Sequence, residues 1–230
     1  MEVSYNTNFW GFTFFGSAYY KSNTDIIEQI ATTENAEILR TSFGNVGTNN
    51  SVGINFFTSK SIGLLTVRGG GDVYTYNGQG QIAGVDFSNQ ALSYRLFTGG
   101  EYSFSGTLKA DFFGFFQAPS FTLQGENASF SIMGIGFRKD FKNLSLGIRI
   151  IEPFSKNKNF DSDITGSDFR QITRFAIPFR SIGVNFKYKF GKVDFKKRKS
   201  KIKNSDQKSG EGEQGGQGGG GGNGNGIGGN

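Results

Sequence analysis

Residues 91–104, "ALSYRLFTGGEYSF", alternate in character at every step. Leu92, Tyr94, Leu96, Thr98, Gly100, Tyr102 and Phe104 fall on one face. Ser93, Arg95, Phe97, Gly99, Glu101 and Ser103 fall on the other. A period of two belongs to an extended strand, whose successive side chains point to opposite sides. The next run, "TLKADFFGFFQA" (107–118), sets Leu108, Ala110, Phe112, Gly114 and Phe116 against Thr107, Lys109, Asp111 and Gln117. A Ser105-Gly106 turn between them closes a hairpin. Helical periodicity is hard to find anywhere, so the chain is restricted to all-β architectures.

Similar runs continue to residue 191. They read as strands over 12–31, 40–58, 62–77, 91–104, 107–118, 127–140, 144–158 and 168–190, with residues 2–6 as the remnant of another. The connections alternate in length. Short ones fall near "NTNFWG", "SKS", "SG" and "FKN". Longer polar ones fall at 31–40, 78–90, 118–127 and 156–167. In an up-and-down meander every second turn lies at the same end, so one end carries tight turns and the other carries loops. Transmembrane β-barrels show that asymmetry, with short periplasmic turns and longer external loops.

Two further features agree. Tyr94 to Phe104 spans about the 9–11 residues that a tilted strand needs to cross the hydrocarbon layer. Phe9, Trp10, Phe12, Phe104, Phe141, Tyr188 and Phe190 collect at the short-turn end, as an interfacial aromatic girdle would. The alternate face carries Arg95, Glu101, Lys109, Asp111, Lys187 and Lys189, charges that suit a wet lumen. The expected fold is an all-β, antiparallel, up-and-down transmembrane β-barrel segment of about eight or nine strands spanning residues 1–191. A soluble β-sandwich binding module is the competing architecture, but strands in such sandwiches are typically about five or six residues long.

The chain has no Cys and no His, so disulfides, thiolate metal sites and imidazole bases are all absent. No catalytic residue, cofactor or bound metal is expected, and the chain reads as a non-enzyme. Its net charge of +6 is concentrated late, since residues 192–230 hold eight Lys/Arg against four Asp/Glu. "KVDFKKRKSKIK" has seven basic residues in twelve, and Ser209–Asn230 has thirteen Gly in twenty-two. Such a segment has nothing to bury and reads as a disordered tail. It lacks the interleaved aromatics of a nucleic-acid arm, so no nucleic acid is expected as a partner.

"NVGTNNSVGINFF" (45–57), "FRKDF…LSLGIRIIEPFSKNKNF" (137–160) and "FRSIGVNFKYKFGK" (179–192) resemble the C-terminal part of the outer membrane protein β-barrel family. That family is similar to TonB-dependent receptors. The resemblance implies the outer membrane of a Gram-negative cell, with the C-terminal tail periplasmic. It implies binding and uptake of an unknown bulky nutrient, and partners that include outer-membrane lipid and upstream barrel and plug segments. It also implies that the barrel-assembly machinery reads the last strand through Ser181, Gly183, Phe186, Tyr188 and Phe190. A small stand-alone barrel with a structural or adhesive role is the other functional reading.

Loop residues Asp86, Asp161 and Asp163 are the candidate contacts for a ligand or a calcium ion. The opening "MEVSYNTNF" reads as strand and turn rather than as a secretory leader. The chain is therefore expected to be a fragment whose first strand pairs with upstream sequence.

Overall fold

Strand pairing reaches well past the points where alternation fades. The computed structural model describes residues 1–34 and 38–191. Among them are β1 (Glu2–Phe9), β2 (Phe12–Glu34), β3 (Ile38–Ile62), β4 (Leu65–Ile82), β5 (Val85–Ser103) and β6 (Leu108–Gln117). These are followed by β7 (Ser120–Thr122), β8 (Gly125–Asn127), β9 (Phe130–Asp140), β10 (Leu144–Ile151), β11 (Asn157–Thr165), β12 (Arg170–Pro178) and β13 (Ser181–Tyr188). No described residue is helical.

One nine-stranded sheet runs in the order β1-β2-β3-β4-β5-β6-β9-β10-β13, and a four-stranded sheet runs β12-β11-β8-β7. All pairings are antiparallel. The large sheet is an up-and-down meander into which two hairpins are inserted. β7–β8 leaves between β6 and β9, and β11–β12 leaves between β10 and β13. The two hairpins then pair with each other through Asp163↔Glu126 and Ile164↔Gly125.

Several boundaries differ from the sequence expectation. The tight turn expected at "SKS" lies at Gly63-Leu64, because β3 stays paired to Ile62. Gly63, with φ of 58°, supplies the left-handed conformation that this turn needs. The stretch 78–90 is not a loop, since β4 and β5 remain in register up to Ile82↔Val85. Likewise β2 and β3 pair up to Glu34↔Ile38. The stretch 156–167 is mostly the strand β11. The single long strand expected at 168–190 is two, with β12 in the small sheet and β13 in the large one, separated at Phe179-Arg180. The basic and Gly-rich tail, 192–230, lies outside the described residues.

Register sorts the large sheet into two faces. Across the strands one face reads Val3, Tyr5; Phe14, Ala18; Ile54, Phe56; Val67, Val73; Leu92, Leu96; Phe112, Phe116; Ile135, Phe137; Leu146, Ile148; and Val184, Phe186. This face is uncovered: Leu92 is 62% exposed, Ile148 52% and Val184 74%. A soluble sandwich would bury such a face against a second sheet. A contiguous apolar surface drawn from all nine strands requires lipid or protein over it.

The buried apolar side chains are few. Val46, Ile82 and Leu123 form a small cluster, joined by Ile30 and Phe87, at the end where the long hairpins project. Among the described residues no core separates two layers, so most of their apolar surface depends on its surroundings.

Candidate functional site

The opposite face of the large sheet is polar, and glycines organise it. Tyr19 on β2, Gly53 on β3 and Tyr74 on β4 stand in one row across the sheet. A Cβ at Gly53 would lie 2.4 Å from the Tyr19 ring, which passes over this glycine to donate its hydroxyl proton to Asp72 on β4, at 2.9 Å. Phe57 and Phe97 stack over Gly70 in the same way, with ring centroids 6.2 Å apart. Asp111 on β6 and Arg149 on β10 meet above Gly136 on β9, at 2.6 Å. Neighbouring strands are about 4.8 Å apart, so partners two strands apart meet most directly where the strand between them offers no side chain.

The charges form a lattice around that last bridge. Glu101 and Asp111 sit directly opposite each other in the β5–β6 ladder, which alone would repel. Each is drawn toward a cation: Lys109 meets Glu101 at 2.5 Å, and Arg149 meets Asp111. Arg138 spans Glu101 at 3.9 Å and Asp140 at 3.3 Å. Ser145 donates a hydrogen bond to Asp140. Arg95 shares this face, opposite Asp72 and Gln117. Lys187 is opposite Ser145, and Lys189 follows the end of β13.

At the other end the β7–β8 hairpin is fastened onto the sheet. β2 has a bulge between Asn23 and Ile26, with Asp25 at φ of 55°. Such a bulge re-aims the strand beyond it. Glu28 then accepts the Tyr76 hydroxyl proton at 2.6 Å and the Leu123 N–H at 2.9 Å. Gln124 pairs with the backbone of Ala31 through both halves of its amide, at 2.7 and 2.8 Å. Its side chain thereby acts as a one-residue strand on the part of the β2 edge that β1 does not reach. Asn89 donates to the carbonyls of Thr122 and Gly125, closing the set.

A second fastening holds β11–β12. Glu152 is only 1% exposed and sits at φ of 51°, just past β10. Its carboxylate meets the Lys158 ammonium at 2.8 Å and accepts the Met133 N–H at 2.9 Å. Phe160 stacks on Phe175 with centroids 5.1 Å apart, and Phe130 and Phe179 close around Phe160. None of Glu28, Gln124 or Glu152 carried a sequence signal, because each is defined by partners distant in the chain.

The sequence-derived candidates do not converge on one site. Ser181 and Gly183 point to the polar face of β13, Phe186 and Tyr188 to the apolar face, and Phe190 lies beyond the strand. Asp86 lies on a strand and not in a loop, and it accepts a hydrogen bond from Gln81 at 3.2 Å. Asp161 and Asp163 lie on β11 in the other sheet, opposite Arg174 and Ile172. Arg170 grips Asp163 with two hydrogen bonds, 2.5 and 3.0 Å, and these hold its carboxyl below the usual range. That contribution is present above the unfolded carboxyl value and is lost only as pH falls through the lowered one. No three acidic side chains among the described residues are placed to hold a metal ion.

Gly136 gives a direct check on the bridged lattice. A Cβ there would lie 2.7 Å from the Asp111 carboxylate. Gly136→Val is expected to separate Asp111 from Arg149 while leaving the strands paired. A double-mutant cycle between Asp111→Asn and Arg149→Gln should then show coupling in the native background and none in Gly136→Val. Equal coupling in both would mean that the pair does not depend on the glycine gap.

The model of the outer membrane protein beta-barrel family matches residues 1–188. No curated protein and no solved structure matches the chain. The match covers more than half of the sequence, and the chain belongs to that family.

Proposed function

We propose that this outer-membrane β-barrel is the C-terminal barrel portion of a TonB-dependent-receptor-like protein that binds and takes up a bulky nutrient. The apolar face meets lipid and the polar face lines the interior. The short-turn end, with Trp10 85% exposed and stacked on Phe9, faces the periplasm together with the tail. The long hairpins face outside. β1 and β13 each pair on one side only among the described residues, which leaves both edges free to receive further strands of the same wall. β13 carries the strand signal read by the barrel-assembly machinery, and a plug occupies the lumen.

One observation carries this reading. At the long-hairpin end the chain builds a second sheet and fastens it with polar contacts from half-buried Glu28 and buried Gln124 and Glu152. A purely structural wall needs only short connections there. A fixed, sculpted outer surface is what recognition of a large solute requires.

The test pairs growth with permeability. A strain lacking the gene, supplied in turn with oligosaccharides, oligopeptides and metal chelates as the limiting nutrient, should fail on one class and recover with the gene restored. Vesicles holding the purified full-length protein should not swell freely in small sugars. Normal growth on every class, with free passage of small sugars, would replace the receptor by a simple pore.

A further inference from the structure

We infer that the polar face over β9, β10 and β13 binds an acidic solute, a polycarboxylate or a phosphate ester, in a groove near the short-turn end. The groove encloses about 590 Å³ and is lined by Arg138, Arg149, Lys187 and Lys189 together with Asp111 and Asp140. Pockets for small molecules occupy roughly 300–1,000 Å³, so the volume suits one compact ligand.

Register explains why there is room. Three rows cross the strands here: Gly136–Arg149–Gly183, Arg138–Gly147–Asn185 and Asp140–Ser145–Lys187. Arg149, Arg138 and Lys187 each have a glycine or a serine beside them, and Lys189 follows opposite Asn143, so long basic side chains stand over a floor with few other side chains. A Cβ at Gly183 would meet nothing within 4 Å. Gly183 thus adds no side chain to the floor, on a strand that pairs only with β10 among the described residues.

The charge balance is uneven. Four cations face two carboxylates in the lining, and both carboxylates already hold arginines, Asp111 with Arg149 and Asp140 with Arg138. Among the described residues no carboxylate lies within ion-pair distance of Lys187 or Lys189. A net positive excess in a groove concentrates the field and attracts an anion. Lys187 supplies the point charge, and the guanidinium of Arg149, fixed by Asp111, supplies oriented donors.

The inference depends on the polar face lining the interior and not on uptake itself. Calorimetric titration of the purified full-length protein in detergent at low ionic strength tests it, with citrate, glucose 6-phosphate and glucose as the injected probes. Citrate or glucose 6-phosphate should bind and glucose should not, and which of the two binds assigns carboxylate or phosphate. Lys187→Gln should weaken binding about tenfold, the scale of one charge-assisted contact, and Lys187→Glu should weaken it further. Arg68→Gln, a cation of the same face outside the groove, should leave it unchanged. Both Lys187 variants are to be checked for native heat-modifiable migration. Binding of glucose as tight as that of the anions, no anion binding at all, or unaltered affinity in both folded Lys187 variants overturns the site. Anion binding without a growth phenotype would leave the site standing and remove only the uptake reading.

Discussion

Glu152→Ala is expected to release the β11–β12 hairpin at a cost of about 3–5 kcal/mol, the usual effect of breaking a buried ion pair from one side. Glu152 is the most buried charged side chain of the described residues, and four contacts converge on it. Its carboxylate holds Lys158 and the Met133 N–H, its own N–H donates to the Met133 carbonyl at 2.9 Å, and its carbonyl accepts from Arg180 at 3.2 Å. Removing the carboxylate strands the Lys158 ammonium, whose side chain is 14% exposed and retains only Ser131 as a hydrogen-bond partner. The loss should be local, because β9, β10 and β13 keep their ladders. Limited proteolysis of the purified protein should therefore cut within 157–178 while heat-modifiable migration persists. The double variant with Lys158→Met removes the stranded charge, so it should recover part of the loss. Protease resistance equal to that of the parent in Glu152→Ala would show that the phenylalanine cluster alone holds the hairpin.

How far the sequence carries can be judged from particular residues. The alternation of 91–104 and 107–118 gives the strands, the hairpin and both faces, because a period of two survives wherever one side is apolar. It fails above the apolar belt. There Asn77, Gln79 and Gln81 face Gln90, Ser88 and Asp86 on a side that is polar as well, so the stretch looks like a loop although the ladder continues. The three prolines were the missed signal. Pro119, Pro153 and Pro178 each stand at a junction between the large sheet and an inserted hairpin, and a proline inside an apparent strand argues against continuing it. The glycine bridges were not legible at all. Gly53, Gly70 and Gly136 look like weak points in strands, and their purpose depends on which residues stand one strand to either side, which only the register supplies. The same holds for Gln124 and Ala31, separated by 93 positions.

Leu96→Arg and Arg95→Leu make adjacent substitutions whose consequences should differ most if the face assignment is right. Leu96 is opposite Gly71 and Phe116, near the middle of the apolar run from Leu92 to Tyr102 on β5. Arg95 points to the polar face, opposite Asp72 and Gln117. An arginine on the lipid face near the bilayer midplane costs about 2–4 kcal/mol, because its guanidinium must be dragged to the interface or hydrated by a defect. Arg95→Leu exchanges one wetted side chain for another and disturbs no ion pair, since Arg95 has no carboxylate partner among the described residues. In the full-length protein Leu96→Arg should lower both the outer-membrane level and the urea midpoint of the heat-modifiable form. Arg95→Leu should shift neither appreciably. A reversed order would exchange lumen and lipid faces for the whole sheet, since the register ties all nine strands to the same assignment. Equal tolerance would mean that β5 does not lie in the bilayer at this depth.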